Sequence, residues 1–225
     1  MRNLGRRTDF HTHSMLSDGD LLPSEIVRRA NALNYEAIAI TDHVDASNMD
    51  FIVKRLVKVS NTLQKHLDIT IIPGVELTHI PPPKIKTLAL EARKLGAQLI
   101  VAHGETLAEP VLPGTNKMAV SCTEVNILAH PGLINKNEAE EARENGIYLE
   151  LSARKGHCLT NGHVAKVASE TKAKLLVNTD LHSPEDFLTQ ESAFKLAVGS
   201  GLTELDAVKV VSDYPKEILR KMKKV

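Results

Sequence analysis

The sequence predicts an α/β fold in which seven parallel strands close into a barrel. Three observations carry this expectation. Short β-rich runs alternate with longer stretches of helical spacing and charged faces. The runs are mostly apolar, as strands covered by helices are. Every run ends, at its C-terminal end, in an uncommon polar residue: His13, Asp42-His43, Glu76, His103, His130, Glu150 with Ser152, and Asp180. An open sheet gathers its site near one switch point, whereas a barrel builds it from every strand top. Polar residues on all seven ends therefore select the barrel, with seven strands where eight are usual.

The elements follow in order. "TDFHTH" (8–13) is the first strand, and a helix over 22–33 starts at Ser24 and Glu25 behind Pro23. "EAIAITD" (36–42) precedes a helix over 49–66, and "ITIIPGVE" (69–76) precedes one over 84–95, which stops at "LGA". "AQLIVAHG" (97–104) leads into the segment 104–124, long for a loop in a compact barrel and able to carry a short helix at 115–122. "VNILAHP" (125–131), a helix over 136–144 ended by "NGI", and "IYLELS" (147–152) come next. A helix over 161–171 leads to "AKLLVNTD" (173–180), and helices over 185–199 and 203–222 complete the chain.

Composition bounds the function. The 225 residues fit one domain, 1–225, and 42% hydrophobic content is that of a globular chain. Lys+Arg and Asp+Glu are both 28, so no net field attracts polyanions or anionic membranes. Three Tyr, four Phe and no Trp make a base-stacking platform a poor expectation, which disfavours nucleic acid as a partner. Two cysteines, Cys122 and Cys158, form no framework, which points to a reducing cytosol. The arginines near the N-terminus precede no apolar h-region, and no apolar run approaches the ~18 residues of a membrane span. The expectation is a cytoplasmic protein with no membrane partner. Nothing in these features sets an oligomeric state.

The strand ends carry the chemistry. His11 and His13 are two apart, so on an extended strand their imidazoles face one space. Six of the ten histidines (His11, His13, His43, His103, His130, His182) fall at or just past strand ends. With Asp18, Glu76 and Asp180 they make nine potential ligands. Imidazole plus carboxylate suits zinc, manganese or iron, and one ion takes roughly four to six ligands, so nine suggest two or three divalent ions. "DLH" (180–182) repeats the i, i+2 pattern of "HTH", and barrel closure sets the first and last strands side by side.

Together, "HTHSMLSDG" (11–19), "ITDH" (40–43), "PGVE" (73–76), "AHG" (102–104), "LAHP" (128–131) and "NTDLHS" (178–183) resemble the PHP (polymerase and histidinol phosphatase) family. The resemblance implies a distorted seven-stranded (β/α)7 TIM-like barrel with a trinuclear centre. The metal ligands it implies are His11, His13, Asp18, His43, Glu76, His103, His130, Asp180 and His182. Some family members carry a His at the position of Asp18, which leaves two roles open for Asp18: third ligand of its stretch, or turn residue before the first helix.

Divalent ions activate water and neutralise phosphoryl oxygens. No G-x-S-x-G, Ser-His-Asp order, phosphate-binding P-loop or dinucleotide fingerprint competes with them. The expected activity is hydrolysis of a small metabolite's phosphate ester, such as histidinol phosphate or a nucleoside phosphate, by a hydroxide bridging the ions. His11, His13, Asp180 and His182 are the central catalytic candidates. Arg154, Lys155 and His157 in "SARKGH" are expected to hold the substrate phosphate. His79 and Glu105 are further candidates near the site. Asp42 reads as support from behind the ligands or as a strand-end cap, and His66 and His163 as surface residues. The alternatives are an exonuclease or polymerase-associated PHP module, and an amidohydrolase-type deaminase. The latter barrels typically have a lysine at a middle strand end, where this chain has His103.

Overall fold

The computed structural model describes residues 4–222. Its elements are β1 (Thr8–Asp9), α1 (Pro23–Ala32), β2 (Ala37–Ile40), β3 (His43–Val44), α2 (Met49–Leu63), β4 (Thr70–Leu77), α3 (Ile85–Leu95) and β5 (Leu99–His103). They continue with α4 (Thr115–Val120), β6 (Ile127–Ala129), α5 (Lys136–Glu144), β7 (Tyr148–Ser152), α6 (Asn161–Thr171), β8 (Leu175–Asn178), α7 (Gln190–Gly199), α8 (Glu204–Val208) and α9 (Tyr214–Met222).

The sheet runs β1-β2-β4-β5-β6-β7-β8, and its ladders are parallel. It is the nearly closed barrel of seven strands that the sequence predicts. One run is split. The ladder of 36–42 breaks at Thr41–Asp42, where Thr41 N donates to Thr12 O (2.8 Å), and the chain resumes as β3 beside β4.

Closure between β1 and β8 is made above and across the strands. Thr12 and Leu181 form a parallel bridge, with His13 N donating to Leu181 O at 2.7 Å. Below it, the buried Arg7 guanidinium donates to Val177 O (2.9 Å), Thr8 O (2.7 Å) and Asp9 Oδ2 (3.0 Å). Asp9 Oδ1 accepts from Thr179 N (3.2 Å), and Asn178 Oδ1 accepts from Phe10 N (3.1 Å). Side chains thus satisfy backbone groups that a continuous ladder would otherwise pair.

Strand alternation divides the apolar residues into two cores. Ile38, Ile40, Ile100, Leu128, Leu149 and Leu175 face outward and pack under the helices. Ala37, Ala39, Ile72, Leu99, Val101, Ile127 and Leu176 face inward, where Ile218 and Leu219 of α9 plug the N-terminal end. The barrel is therefore largely apolar at its base, with Thr8 beside Ala37 the polar exception, and the inward positions turn polar near the strand tops.

The predicted helix over 203–222 is interrupted by a π-turn at Lys209–Asp213. Pro215 has no N–H and its ring crowds the carbonyl four residues back. That carbonyl, Val211 O, instead accepts from Gln190 Nε2 at 2.8 Å. In the predicted helix over 185–199, a 3-10 turn at Pro184–Asp186 precedes α7.

Candidate metal centre

The inward strand tops converge on two carboxylates. Glu76 lies in register with His43 across the β3–β4 ladder. Its Oε2 is 3.4 Å from His11 Nε2, 3.6 Å from His13 Nε2 and 2.8 Å from His43 Nδ1, while Oε1 is 3.4 Å from His130 Nε2. Asp180 faces it from beyond β8. Its Oδ1 is 3.1 Å from His13 Nε2 and 3.7 Å from His11 Nε2, and Oδ2 is 3.8 Å from His130 Nε2. At the rim, Asp18 Oδ1 is 3.3 Å from His182 Nε2 and 3.5 Å from His43 Nε2. The ligand atoms form overlapping groups: His13, Asp18, His43 and His182; His11, Glu76 and His130; His11, His13 and Asp180; His130, His157 and Asp180.

Backbone geometry aims several of these groups. Non-glycine residues with positive φ include His79 (52°), His130 (29°) and Asp180 (54°), all at the site, where such strain commonly collects. Gly132, at φ 61° and two residues past His130, lies so close to the loop after β5 that a Cβ there would lie 1.8 Å from Glu105 O.

Hydrogen bonds fix the rings. Glu150 Oε2 accepts from His11 Nδ1 (2.8 Å) and from Asn178 Nδ2 (3.0 Å). Gly104 O accepts from His103 Nδ1 (3.1 Å), and Asp180 O from His182 Nδ1 (2.8 Å). In each case Nε2 is left free to ligate. Asp42, fully buried, accepts from Ser14 N, Ser14 Oγ and Ser17 Oγ, each at 2.7 Å, and so ties down the turn that carries His13.

Electrostatics divide the histidines. Burial opposes charge on His11, but Glu150, Asp180 and Glu76 overcome it and hold the ring well above its ordinary value. Against the same burial, Glu76 and Asp18 raise His43 to about 10. Burial, reinforced by His43, pushes His13 down to about 3. Burial and His130 push His157 down to about 4. Glu76 and Asp180 are buried, which favours their neutral forms, yet His11 and the rings around it hold both well below the carboxylate range.

The donor set fits divalent transition ions. His11 Nε2, both ring nitrogens of His13, His130 Nδ1 and Glu76 Oε1 are buried without a hydrogen-bond partner. Such atoms cost about 1–3 kcal/mol each when left unmet. Their clustering between two carboxylates is the arrangement a cation resolves.

The other expected residues divide. Arg154 reaches the site, with Nε 3.9 Å from Asp180 Oδ2 and Nη1 3.4 Å from Asp180 O. His157 is buried, with Nε2 3.9 Å from Asp180 Oδ2. Lys155 is exposed and outside this cluster. Glu105 accepts from Asn116 N (2.9 Å) and so anchors α4. His66 is exposed, and His163 Nε2 pairs with Ile134 O on the helix layer. His103 Nε2 points to Glu109 Oε2 (3.0 Å), and its ligand atom groups with those of His79 and Glu109. Sequence reasoning assigned no role to Glu150, whose only signal was a carboxylate at a strand end. It missed Glu109, which lies in an aperiodic loop.

A parallel barrel with a histidine–carboxylate cluster at its C-terminal mouth defines a metal-centre type of α/β protein. The PHP domain family profile matches residues 9–144, and the chain belongs to that family. It is 48% identical to an uncharacterized protein of Methanocaldococcus jannaschii, over 96% of this chain and 100% of that one. It is 24% identical to ribonuclease P protein component 3 of Methanosarcina mazei, over 95% of this chain and 88% of that one. Among solved structures, histidinol phosphate phosphatase from Lactococcus lactis, complexed with zinc, L-histidinol and phosphate, superposes with a TM-score of 0.56. Its identity is 17%, covering 88% of this chain and 95% of that one. No helix among the described residues is long and apolar enough to cross a membrane.

Proposed function

We propose that the chain is a metal-dependent phosphoesterase that hydrolyses the phosphate ester of a small metabolite. The observation that supports it most is the pair of buried carboxylates, Glu76 and Asp180, each ringed by histidines at the closed end of a narrow mouth. In this reading His11, His13, Asp18, His43, Glu76, His103, His130, Asp180 and His182 hold two or three ions of zinc, manganese or iron. When bound, such ions lower the pKa of water and neutralise phosphoryl oxygens.

The chain's own residues do the rest. Arg154, anchored beside Asp180, donates to a substrate oxygen at the rim. His157, held by its Nδ1 contact to Thr106 Oγ1 (2.7 Å), keeps Nε2 turned to the same space. Burial keeps that ring neutral, so it serves as a hydrogen-bond partner and not as a fixed charge. The space left there is about 30 Å³, room for roughly two waters. Glu109 lines the same space, with Oε1 3.4 Å from His157 Nε2.

A second reading, an RNA-related role, is supported by the match to ribonuclease P protein component 3 along most of the chain. The neutral composition weighs against broad polyanion binding but not against the end of one strand. One assay separates the two. The metal-loaded protein is offered histidinol phosphate, nucleoside monophosphates, and short RNA with a 5′-phosphate. Release of inorganic phosphate from the small esters supports the first reading. Mononucleotide release from RNA alone supports the second, and no turnover of any of them contradicts both.

A further inference from the structure

We propose that the outer face of α1 and α2 is a docking surface for single-stranded nucleic acid. Equal numbers of basic and acidic residues in the whole chain conceal an uneven distribution over the helix layer. α1, α2 and α3 carry eight basic residues against three acidic ones, whereas α5 carries four glutamates against Lys136 and Arg143. α1 packs beside α2 and α2 beside α3, so the excess positive charge lies on one flank of the barrel. Such a patch acts on a polyanion locally, whatever the net charge of the chain.

On α2 the exposed residues Phe51, Lys54, Arg55 and Lys58 recur at helical spacing and share one stripe. The opposite face, with Ile52, Val53 and Leu56, is buried in the core, so α2 has no apolar side to lay on a lipid surface. Arg29 and Lys54 pair with Glu25 and Asp50 of their own helices, at 2.9 and 3.9 Å. Arg28, Arg55 and Lys58 have no acidic partner among the described residues. Phe51 is 47% exposed, and the Arg55 guanidinium carbon sits 3.2 Å from its ring centroid. Arg55 Nη1, donating to Phe51 O at 2.9 Å, holds it there. An exposed ring with a guanidinium fixed against it gives a base stacking partners, and the cations beside them meet its phosphates. An acidic protein would use the cations but leave the ring idle. From Phe51 to Lys58 the helix rises about 10 Å, the length of about three stacked nucleotides.

The surface lies outside the barrel and uses no residue of the metal centre, so it rests on neither catalytic reading. The probe is a fluorescein-labelled 2′-O-methyl oligouridylate of about 12 nucleotides, which resists hydrolysis. Anisotropy at several salt concentrations reads its binding to the metal-loaded protein. The variants are the double change Arg28→Glu with Lys58→Glu, Phe51→Ala, and Lys195→Glu on α7 as the control. All four side chains are exposed, so the changes spare the core. The double variant should bind about tenfold or more weakly, and its slope of log affinity against log salt should fall by about two. Phe51→Ala should bind about tenfold more weakly with the slope unchanged, because stacking releases no counterions. Lys195→Glu should bind as wild type does. Phosphate-ester turnover, where wild type shows it, should be the same in all variants, which keeps a failure here apart from a failure at the metal centre. No binding by wild type, unchanged affinity in either stripe variant, or an equal loss in Lys195→Glu would overturn the proposal. So would displacement of the oligomer by polyglutamate at equal charge, which would assign the face to an acidic protein.

Discussion

His11 and Glu150, 139 positions apart in sequence, are joined by a buried contact of 2.8 Å between Nδ1 and Oε2. The carboxylate fixes which nitrogen of His11 faces the cluster and raises its basicity as a ligand. Glu150→Gln keeps the volume but weakens both effects. Metal affinity, read by competition with a chelator, is expected to fall about 10–100-fold. An unchanged affinity would show that His11 needs no such support.

The barrel seam depends on Arg7 and Asp9, a fully desolvated pair 3.0 Å apart. Removing one partner strands the other charge in the interior. Asp9→Asn should therefore lose about 3–5 kcal/mol of stability in urea unfolding. A loss below about 1 kcal/mol would mean that the seam is held without this pair, by the Thr12–Leu181 bridge and the Phe10–Asn178 contact.

Metal loading should depend on pH with a definite sign. In the metal-free protein His43 is raised to about 10 and His11 well above its ordinary value, so both carry protons near neutrality. A ligand must be deprotonated, so binding expels these protons and affinity rises with pH. His13, at about 3, is already neutral and contributes nothing to the slope. Affinity should rise up to about tenfold per pH unit for each proton displaced, between pH 6.5 and 8.5. Calorimetry in buffers of different ionisation enthalpy counts those protons, and a count of zero would contradict the assignment.

Arg154→Ala tests the rim. Arg154 contacts Asp180 but belongs to none of the ligand groups, so metal content should stay as in wild type. KM for a phosphate ester should rise about tenfold or more with the loss of a charge-assisted bond. A lost metal equivalent with unchanged KM would instead make Arg154 a support for Asp180.

Much of this was legible in the sequence because polar residues at the ends of apolar runs are conspicuous. Glu76, His103 and Asp180 stand out against "ITIIPGV", "AQLIVA" and "AKLLVN", and barrel topology brings those ends together. What could not be read were relationships that depend on distant partners or local kinks. Glu150 was visible, but the ring it orients lies on the opposite side of the chain order. His130 turns inward through a left-handed backbone that no period announces. Glu109 has only proximity in space to mark it. Pro215 was visible in the last helix, yet the π-turn it provokes needs Gln190 to donate to the freed Val211 carbonyl.

The central claim is that the histidine–carboxylate cluster holds divalent ions. It is tested most directly by metal analysis of the purified protein and of His13→Ala, each reconstituted with manganese or zinc and freed of excess. His13 shares one ligand group with Asp18, His43 and His182 and another with His11 and Asp180. The account predicts two to three equivalents in the deep cluster of wild type and at least one fewer in the variant. Equal content in the two proteins would contradict it.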